Sequence, residues 1–293
     1  MVFIKGADMK IISEIKKLRK EITSARREDK KTGFVPTMGA IHKGHLSLIK
    51  AAVESCDFVI VSIFVNPTQF GEGEDFQQYP RELNSDAEIC EKEGVDLIFA
   101  PSTEQMYPRK QLTWVNVESL SEGLCGASRP GHFRGVCTVC TKLFNIVQPD
   151  VAFFGQKDAQ QAVVIKRMVA DLNIPLKIEV CPVVRDEDGL ATSSRNKYLS
   201  DEQRKDALLI YKSLCECRKL YEQGVKDTNR LRGKIEEVLG TSRAVEIDYI
   251  TLVDAETLEQ VSKVSGRNVL AAVAAKVGDT CLIDNIILES GQK

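Results

Sequence analysis

Apolar side chains recur at Ile11, Ile15, Leu18, Ile22 and Ala25, with charged residues between them. Steps of three and four mark one face of a helix, here over about residues 9–25, and Asp8 stands where an N-cap would. The period then changes. A short apolar run at about 33–36 is followed by Phe58-Val59-Ile60-Val61-Ser62-Ile63-Phe64-Val65, a continuous and β-branched stretch. Runs of this kind suit parallel strands covered on both faces. Further strands are predicted at Val95–Phe99, Thr113–Val117, Val151–Phe154 and Leu176–Val180. Helices are predicted between them at about 45–55, 84–93, 134–147 and 158–171, and a polar loop rich in glycine and carboxylates fills 66–81. Strand and helix alternate throughout, so this half is predicted to be α/β, with a doubly wound parallel sheet.

The pattern breaks near Pro182. Residues 185–197 are polar and loop-like, and Ser200-Asp201-Glu202-Gln203 is a capping box opening a helix to about 222. A second helix fits about 227–239, and strands fit Val245–Leu252, Val269–Val277 and Thr280–Leu288. Helices followed by strands indicate a smaller α+β domain. The expected division is 1–183 and 184–293.

A chain of 293 residues accommodates two domains. A net charge of -2 gives no whole-chain reason to expect nucleic acid or a membrane surface as partner. The longest apolar run, near Phe58–Val65, is too short to span a bilayer. The opening residues, Met1 to Asp8, lack a signal-peptide profile, and the expectation is a cytoplasmic protein. Nine cysteines are scattered along the chain. Cys137 and Cys140 form one Cys-x-x-Cys in a segment that reads as a buried helix, so both are expected to act as small hydrophobes.

The chemistry concentrates in Phe34-Val35-Pro36-Thr37-Met38-Gly39-Ala40-Ile41-His42-Lys43-Gly44-His45, which holds two of the three histidines. An apolar strand enters a glycine-bearing turn, and the turn opens a helix. Gly39 and Gly44 allow close approach of backbone to a ligand. The first N–H groups of the helix carry the positive end of its dipole. His42 and His45 share one side if helical geometry has begun there. Together these features describe a polyphosphate site. Packing histidines, or half of a metal site, are the other readings; few soft ligands lie nearby in sequence. Lys157 reads as a cation at a strand end, where open α/β sheets bind ligands. By itself it would be a solvated lysine at a helix start, and Asp158 beside it an N-cap. Ser193, Ser194 and Arg195 offer hydroxyls and a guanidinium fork in a polar loop, which many surface loops also do.

The segment Pro36 to His45 resembles the nucleotide-binding signature of the pantoate–β-alanine ligases, and its His-x-Gly-His core resembles the wider nucleotidyltransferase superfamily. Four further blocks carry the narrower resemblance: Phe64-Val65-Asn66-Pro67-Thr68-Gln69-Phe70, Tyr79-Pro80-Arg81, Arg129 through Val136, and Phe154 through Gln161. Asp188-Gly189-Leu190-Ala191-Thr192-Ser193-Ser194-Arg195-Asn196 stands where the superfamily keeps a second phosphate loop. The resemblance implies a Rossmann-like domain binding ATP and pantoate, with a C-terminal lid. The implied reaction forms pantoyl adenylate and pyrophosphate, then condenses the adenylate with β-alanine to give pantothenate and AMP. It also implies Mg²⁺ and a cytoplasmic homodimer in coenzyme A biosynthesis.

Residue by residue, the resemblance makes His42, His45 and Lys157 the catalytic donors to phosphoryl oxygens. Met38, Gly39, Gly155, Asp158, Ser193, Ser194 and Arg195 join His45 and Lys157 around ATP. Gln69 and Gln161 hold pantoate, Met38 and Phe64 supply apolar wall, and Tyr79 lies near. Arg129 and His132 fall in a matched block as contacts to β-alanine's carboxylate or to phosphate. Asp86 is the candidate magnesium ligand. Thr192 departs from the family, which often has Met there. A nucleotidyltransferase acting on another small acceptor stays open as the alternative enzyme, and a nucleotide-binding regulator as the non-catalytic one.

Overall fold

The computed structural model describes residues 9–71, 73, 74 and 76–291. The chain divides into two compact units, Met1–Gly155 with Val164–Cys181, and Gln156–Val163 with Pro182–Lys293.

The first unit runs β1 (Lys10–Ile12), α1 (Ile15–Arg27), β2 (Thr32–Thr37), α2 (Lys43–Ser55), β3 (Phe58–Ile63), α3 (Leu83–Lys92), β4 (Leu97–Phe99), α4 (Thr103–Met106), α5 (Cys125–Ser128), α6 (His132–Val147) and β5 (Val151–Gly155). Helix α7 (Ala159–Asp171), whose residues to Val163 belong to the second unit, and β6 (Lys177–Cys181) follow. The six strands form one parallel sheet in the order β1-β4-β3-β2-β5-β6. Strand alternation sends successive residues to opposite faces. Phe34, Ile60 and Phe99 therefore pack with α1 and α6 through Leu18, Ile22, Leu143 and Phe144. Val35, Val61 and Ile98 pack on the other face with Ile49 and Ala52 of α2 and Cys90 of α3. Order reverses between β2 and β5, and their carboxyl ends form the crevice where such sheets bind ligands. Cys137 and Cys140 are buried in α6 as expected, and burial pushes the Cys137 thiol up to about 12.

Two expectations are corrected. The helix expected over 9–25 begins only at Ile15, because Lys10–Ile12 pairs with β4 as an edge strand. Its N-cap is Glu14, and Asp8 lies outside the described residues. The strand expected at Thr113–Val117 does not form. The sheet edge beside β4 is taken by β1, and Val115 N–H donates to Thr138 Oγ1 at 3.1 Å. Trp114 lies under the Arg134 guanidinium, 4.8 Å from its ring centre.

In the second unit, α8 (Asp201–Glu222) and α9 (Thr228–Leu239) precede three antiparallel strands, β7 (Val245–Asp254), β8 (Val269–Val277) and β9 (Thr280–Leu288). The Ser200–Gln203 capping box is formed in both directions. One face of this sheet packs Leu252, Val273, Leu282 and Ile286 against Ile210, Leu214 and Ile235 of the helices. On the other face Val253, Leu270 and Ala272 cover Ala159 at the start of α7.

Candidate active site

The turn leaving β2 is shaped by one buried carboxylate. Thr37 Oγ1 donates to the Ser62 carbonyl at 2.8 Å and accepts from Gly39 N–H at 3.1 Å. Gly39 and Ala40 then take positive φ, 85° and 51°. Asp86, on α3 and only 2% exposed, accepts from Ala40 N–H at 3.0 Å and Ile41 N–H at 2.8 Å, one oxygen each. Gly39 is required twice over: its φ suits glycine, and a Cβ there would sit 2.9 Å from Asp86 Oδ2. Burial pushes the Asp86 carboxyl up, and the two N–H bonds pull it back. Asp86, expected as the metal ligand, is buried and bonded here to backbone N–H groups. Both oxygens hold the turn.

His42 is the N-cap of α2. Its Nδ1 accepts from Gly44 N–H at 3.1 Å, so a neutral ring carries its proton on Nε2. The His45 ring stacks on it, centres 4.0 Å apart and 25° from parallel. The rings meet although His42 still has extended backbone, φ -130° and ψ 176°, ahead of the helix, so the helical spacing expected of the pair does not account for the contact.

A second cluster centres on Asn66, 1% exposed. Its Oδ1 accepts from Tyr107 Oη at 2.9 Å and from Thr68 Oγ1 at 3.0 Å, and its Nδ2 donates to Gln69 Oε1 at 3.0 Å. Gln69 Nε2 lies 3.3 Å from Met38 Sδ, which links this block to the histidine turn. Gly135 of α6 packs against the same 67–69 turn so closely that a Cβ would fall 2.3 Å from the Thr68 carbonyl oxygen. The sequence signal for Asn66 is the Asn66-Pro67 step, which starts turns.

Arg129 and His132 form a relay into this cluster. Arg129 pairs with both oxygens of Glu74, at 2.8 and 2.6 Å, and its Nη1 lies 3.3 Å from His132 Nε2. His132 Nδ1 donates to the Gln69 carbonyl at 2.8 Å. The hydrogen bond from Arg129 holds the Glu74 carboxyl below the usual range. Tyr79 stacks edge-on with Phe70, next to Gln69, at 6.0 Å.

In the second unit, Gln156–Asp158 is a 3-10 turn directly after β5. Lys157 Nζ lies 3.7 Å from Asp158 Oδ1, and Gln161 is half-buried in the first turn of α7. Ser193 caps another 3-10 turn, Ser194–Tyr198, through Arg195 N–H at 3.3 Å. Thr192 is buried, and its hydroxyl donates to Asp186 at 3.0 Å. Among the described residues no three His, Cys, Asp or Glu side chains gather as a metal cage.

A family model described as pantoate-beta-alanine ligase matches residues 10–287. The pantothenate synthetase of Pseudothermotoga lettingae is 54% identical over 280 residues, covering 96% of this chain and 98% of its own length. That of Acetivibrio thermocellus is 52% identical over 281 residues, 96% of this chain and all (100%) of its own. The crystal structure of the Thermus thermophilus pantothenate synthetase superposes with a TM-score of 0.89 at 44% identity, covering 95% of this chain and 99% of that one. The Francisella tularensis pantoate-beta-alanine ligase, crystallised with beta-gamma ATP and beta-alanine, gives 0.77 at 37% identity over 97% of this chain and 99% of that one. Sequence blocks, sheet order and full-length likeness agree, and the chain belongs to the pantoate–β-alanine ligase family.

Proposed function

We propose that this protein joins pantoate to β-alanine at the expense of ATP, with the stacked His42–His45 pair at the carboxyl end of β2 as the observation that carries the reading. The ligands of the Francisella relative support it. A carboxylate oxygen of pantoate attacks the α-phosphorus, and the bond to the pyrophosphate oxygen breaks. The amine of β-alanine then attacks the acyl carbon, AMP leaves with the former carboxylate oxygen, and the amine gives up a proton. The first step gathers charge on phosphoryl oxygens, and the second on the acyl oxygen and then on the leaving phosphate of AMP, so positioning and positive charge dominate. His42 offers Nε2–H, and His45 and Lys157 add donors, with Met38, Gly39, Gly155, Asp158, Ser193, Ser194 and Arg195 around the nucleotide. Gln69 and Gln161 hold pantoate through neutral amides that leave its carboxylate nucleophilic. Met38, Phe64 and Tyr79 wall its apolar part. Arg129 and His132 act through the Gln69 backbone, since Glu74 engages the guanidinium.

Magnesium, which the family resemblance implies, finds no ligand in Asp86, whose oxygens are engaged by backbone N–H groups. Such ions take few protein ligands and rest on substrate phosphates. The reading also carries a cytoplasmic homodimer, which light scattering tests; no helix among the described residues is long and apolar enough to cross a membrane.

The test is AMP and pyrophosphate release from ATP with pantoate and β-alanine, added singly and together. Pyrophosphate with pantoate alone, AMP only with both, and loss of both in folded His45→Ala are expected. A folded wild type that gives no pantoate-dependent pyrophosphate would overturn the reading in favour of a nucleotidyltransferase.

A further inference from the structure

After its first residue, Thr280, strand β9 is apolar except where Asp284 and Asn285 interrupt it, both only 3% exposed. Neighbours on a strand face opposite ways. Asn285 turns to the segment after β5. Its Nδ2 donates to the carbonyls of Gln156 and Lys157, each at 3.0 Å, and its Oδ1 accepts from Gln156 Nε2 at 3.0 Å. Asp284 turns to the other side. Its oxygens receive both terminal nitrogens of Arg185, at 2.6 and 3.0 Å, and Oδ1 also accepts Asn285 N–H at 2.7 Å. Arg185 lies over the Tyr211 ring, 3.5 Å from its centre, and donates to the Gly189 carbonyl at 3.3 Å. It pairs in antiparallel fashion with Ala191, at the base of the loop that presents Ser193 to Arg195. Arg204 closes the same hairpin through Asp186 and Asp188, at 2.9 and 2.7 Å.

Burying an amide and an ion pair in apolar β9 is a poor way to gain stability, because apolar residues of the same volume do at least as well. It is a good way to fix geometry. We propose that Asp284 and Asn285 are positioning residues for the ligation: back to back on β9, they lock the Lys157 turn and the Ser193–Arg195 loop to a single strand. The proposal rests on reading those two segments as phosphate contacts.

The experiment measures pantoate-dependent pyrophosphate release, at varied ATP, for wild type, Asn285→Ala, Asp284→Asn and Arg185→Lys, with hydrogen exchange on each. Active wild type establishes the functional reading separately. Expected in the variants is a fall in kcat/KM for ATP of about tenfold to a hundredfold. In a Lys157→Ala background, Asn285→Ala should add only about threefold or less. Exchange should quicken in peptides covering 155–158 and 185–195 while β7 and β8 stay protected. Unchanged kcat/KM in folded Asn285→Ala, full additivity with Lys157→Ala, or exchange that rises evenly across the unit would overturn the proposal. If Asn285→Ala does not fold, Gln156→Ala removes the reciprocal bond from the turn side. A loss of about threefold in kcat/KM for ATP is then expected, and wild-type kinetics would overturn it.

Discussion

Two turns follow strands of the parallel sheet, and each is tied by a buried side chain from a distant element, with opposite polarity. After β2, the Asp86 carboxylate accepts from the N–H groups of Ala40 and Ile41. After β5, the Asn285 amide donates to the carbonyls of Gln156 and Lys157. The first turn spends its own N–H donors inward, so its ligand-facing chemistry falls to side chains, His42 and His45. The second has the Gln156 and Lys157 carbonyls engaged by Asn285, so its polar group of opposite sign is the Lys157 ammonium. A turn proposed to meet phosphate can thus be held by anchoring either pole of its peptides with a buried side chain.

The hardest way to break the first region is through its neighbour. A Gly135→Ala methyl would collide with the Thr68 carbonyl and with Gln69 Cα, at 2.3 and 2.8 Å, both backbone. Either α6 or the 67–69 turn must move, which predicts a loss of about 3 kcal/mol in thermal or urea unfolding. KM for pantoate should rise more than KM for ATP, because Gln69 moves and the histidine turn is displaced only through Met38. Equal changes in the two constants would show that the Gln69 block and the histidine turn are one rigid piece.

Asp86→Ala attacks the carboxylate anchor itself. Two N–H groups lose their acceptors, and the protein should be destabilised by about 2 kcal/mol. Asp86→Asn keeps one acceptor and should fall midway, whereas a magnesium ligand would lose activity in both variants with stability intact and recover at high Mg²⁺. Recovery of Asp86→Asn by added Mg²⁺ would restore the metal reading.

The relay behind Gln69 sharpens the contrast with pH. Glu74 is held below its ordinary value of 4.5, first by the Arg129 hydrogen bond. A depressed carboxylate contributes stability in full above its unfolded pKa and loses it as pH falls through the folded one. Glu74→Gln should cost about 1.5 kcal/mol at neutral pH. The difference between variant and wild type should shrink as pH drops below 4.5 in unfolding titrations. A constant difference down to pH 3 would remove Glu74 from the acid response.

What was readable in the chain follows from the range of the interactions. The α/β alternation comes from neighbours in sequence, and most of its elements form where the pattern placed them. Ile11 misled because it stands in phase with Ile15 and Leu18, and only pairing with β4 makes it a strand. The 113–117 run reads like a strand, but its Val115 N–H goes to Thr138 of α6 and not to a neighbouring strand. Asp86 was visible as a notable carboxylate, though nothing local says that its partners are N–H groups 45 and 46 residues away. Asp284 and Asn285 did leave a signal, two polar residues amid isoleucines, but Asn285 meets Gln156 across 129 residues.

The smallest expected effect tests whether the second region owes its order to the anchors or to the loop's own bonds. The Thr192 hydroxyl donates to Asp186, which also receives Arg204. Thr192→Val keeps the shape and removes only that donor. Asp186 retains Arg204, so the carboxylate stays paired and the cost should be about 1 kcal/mol or less. If Arg185 and Asp284 hold the loop, kcat/KM for ATP in Thr192→Val should stay within about twofold of wild type, as expected for a bond the network can spare. A loss as large as that of Asp284→Asn would mean that the loop is held from within, by its own Thr192–Asp186 bond, and that the β9 pair is only its support.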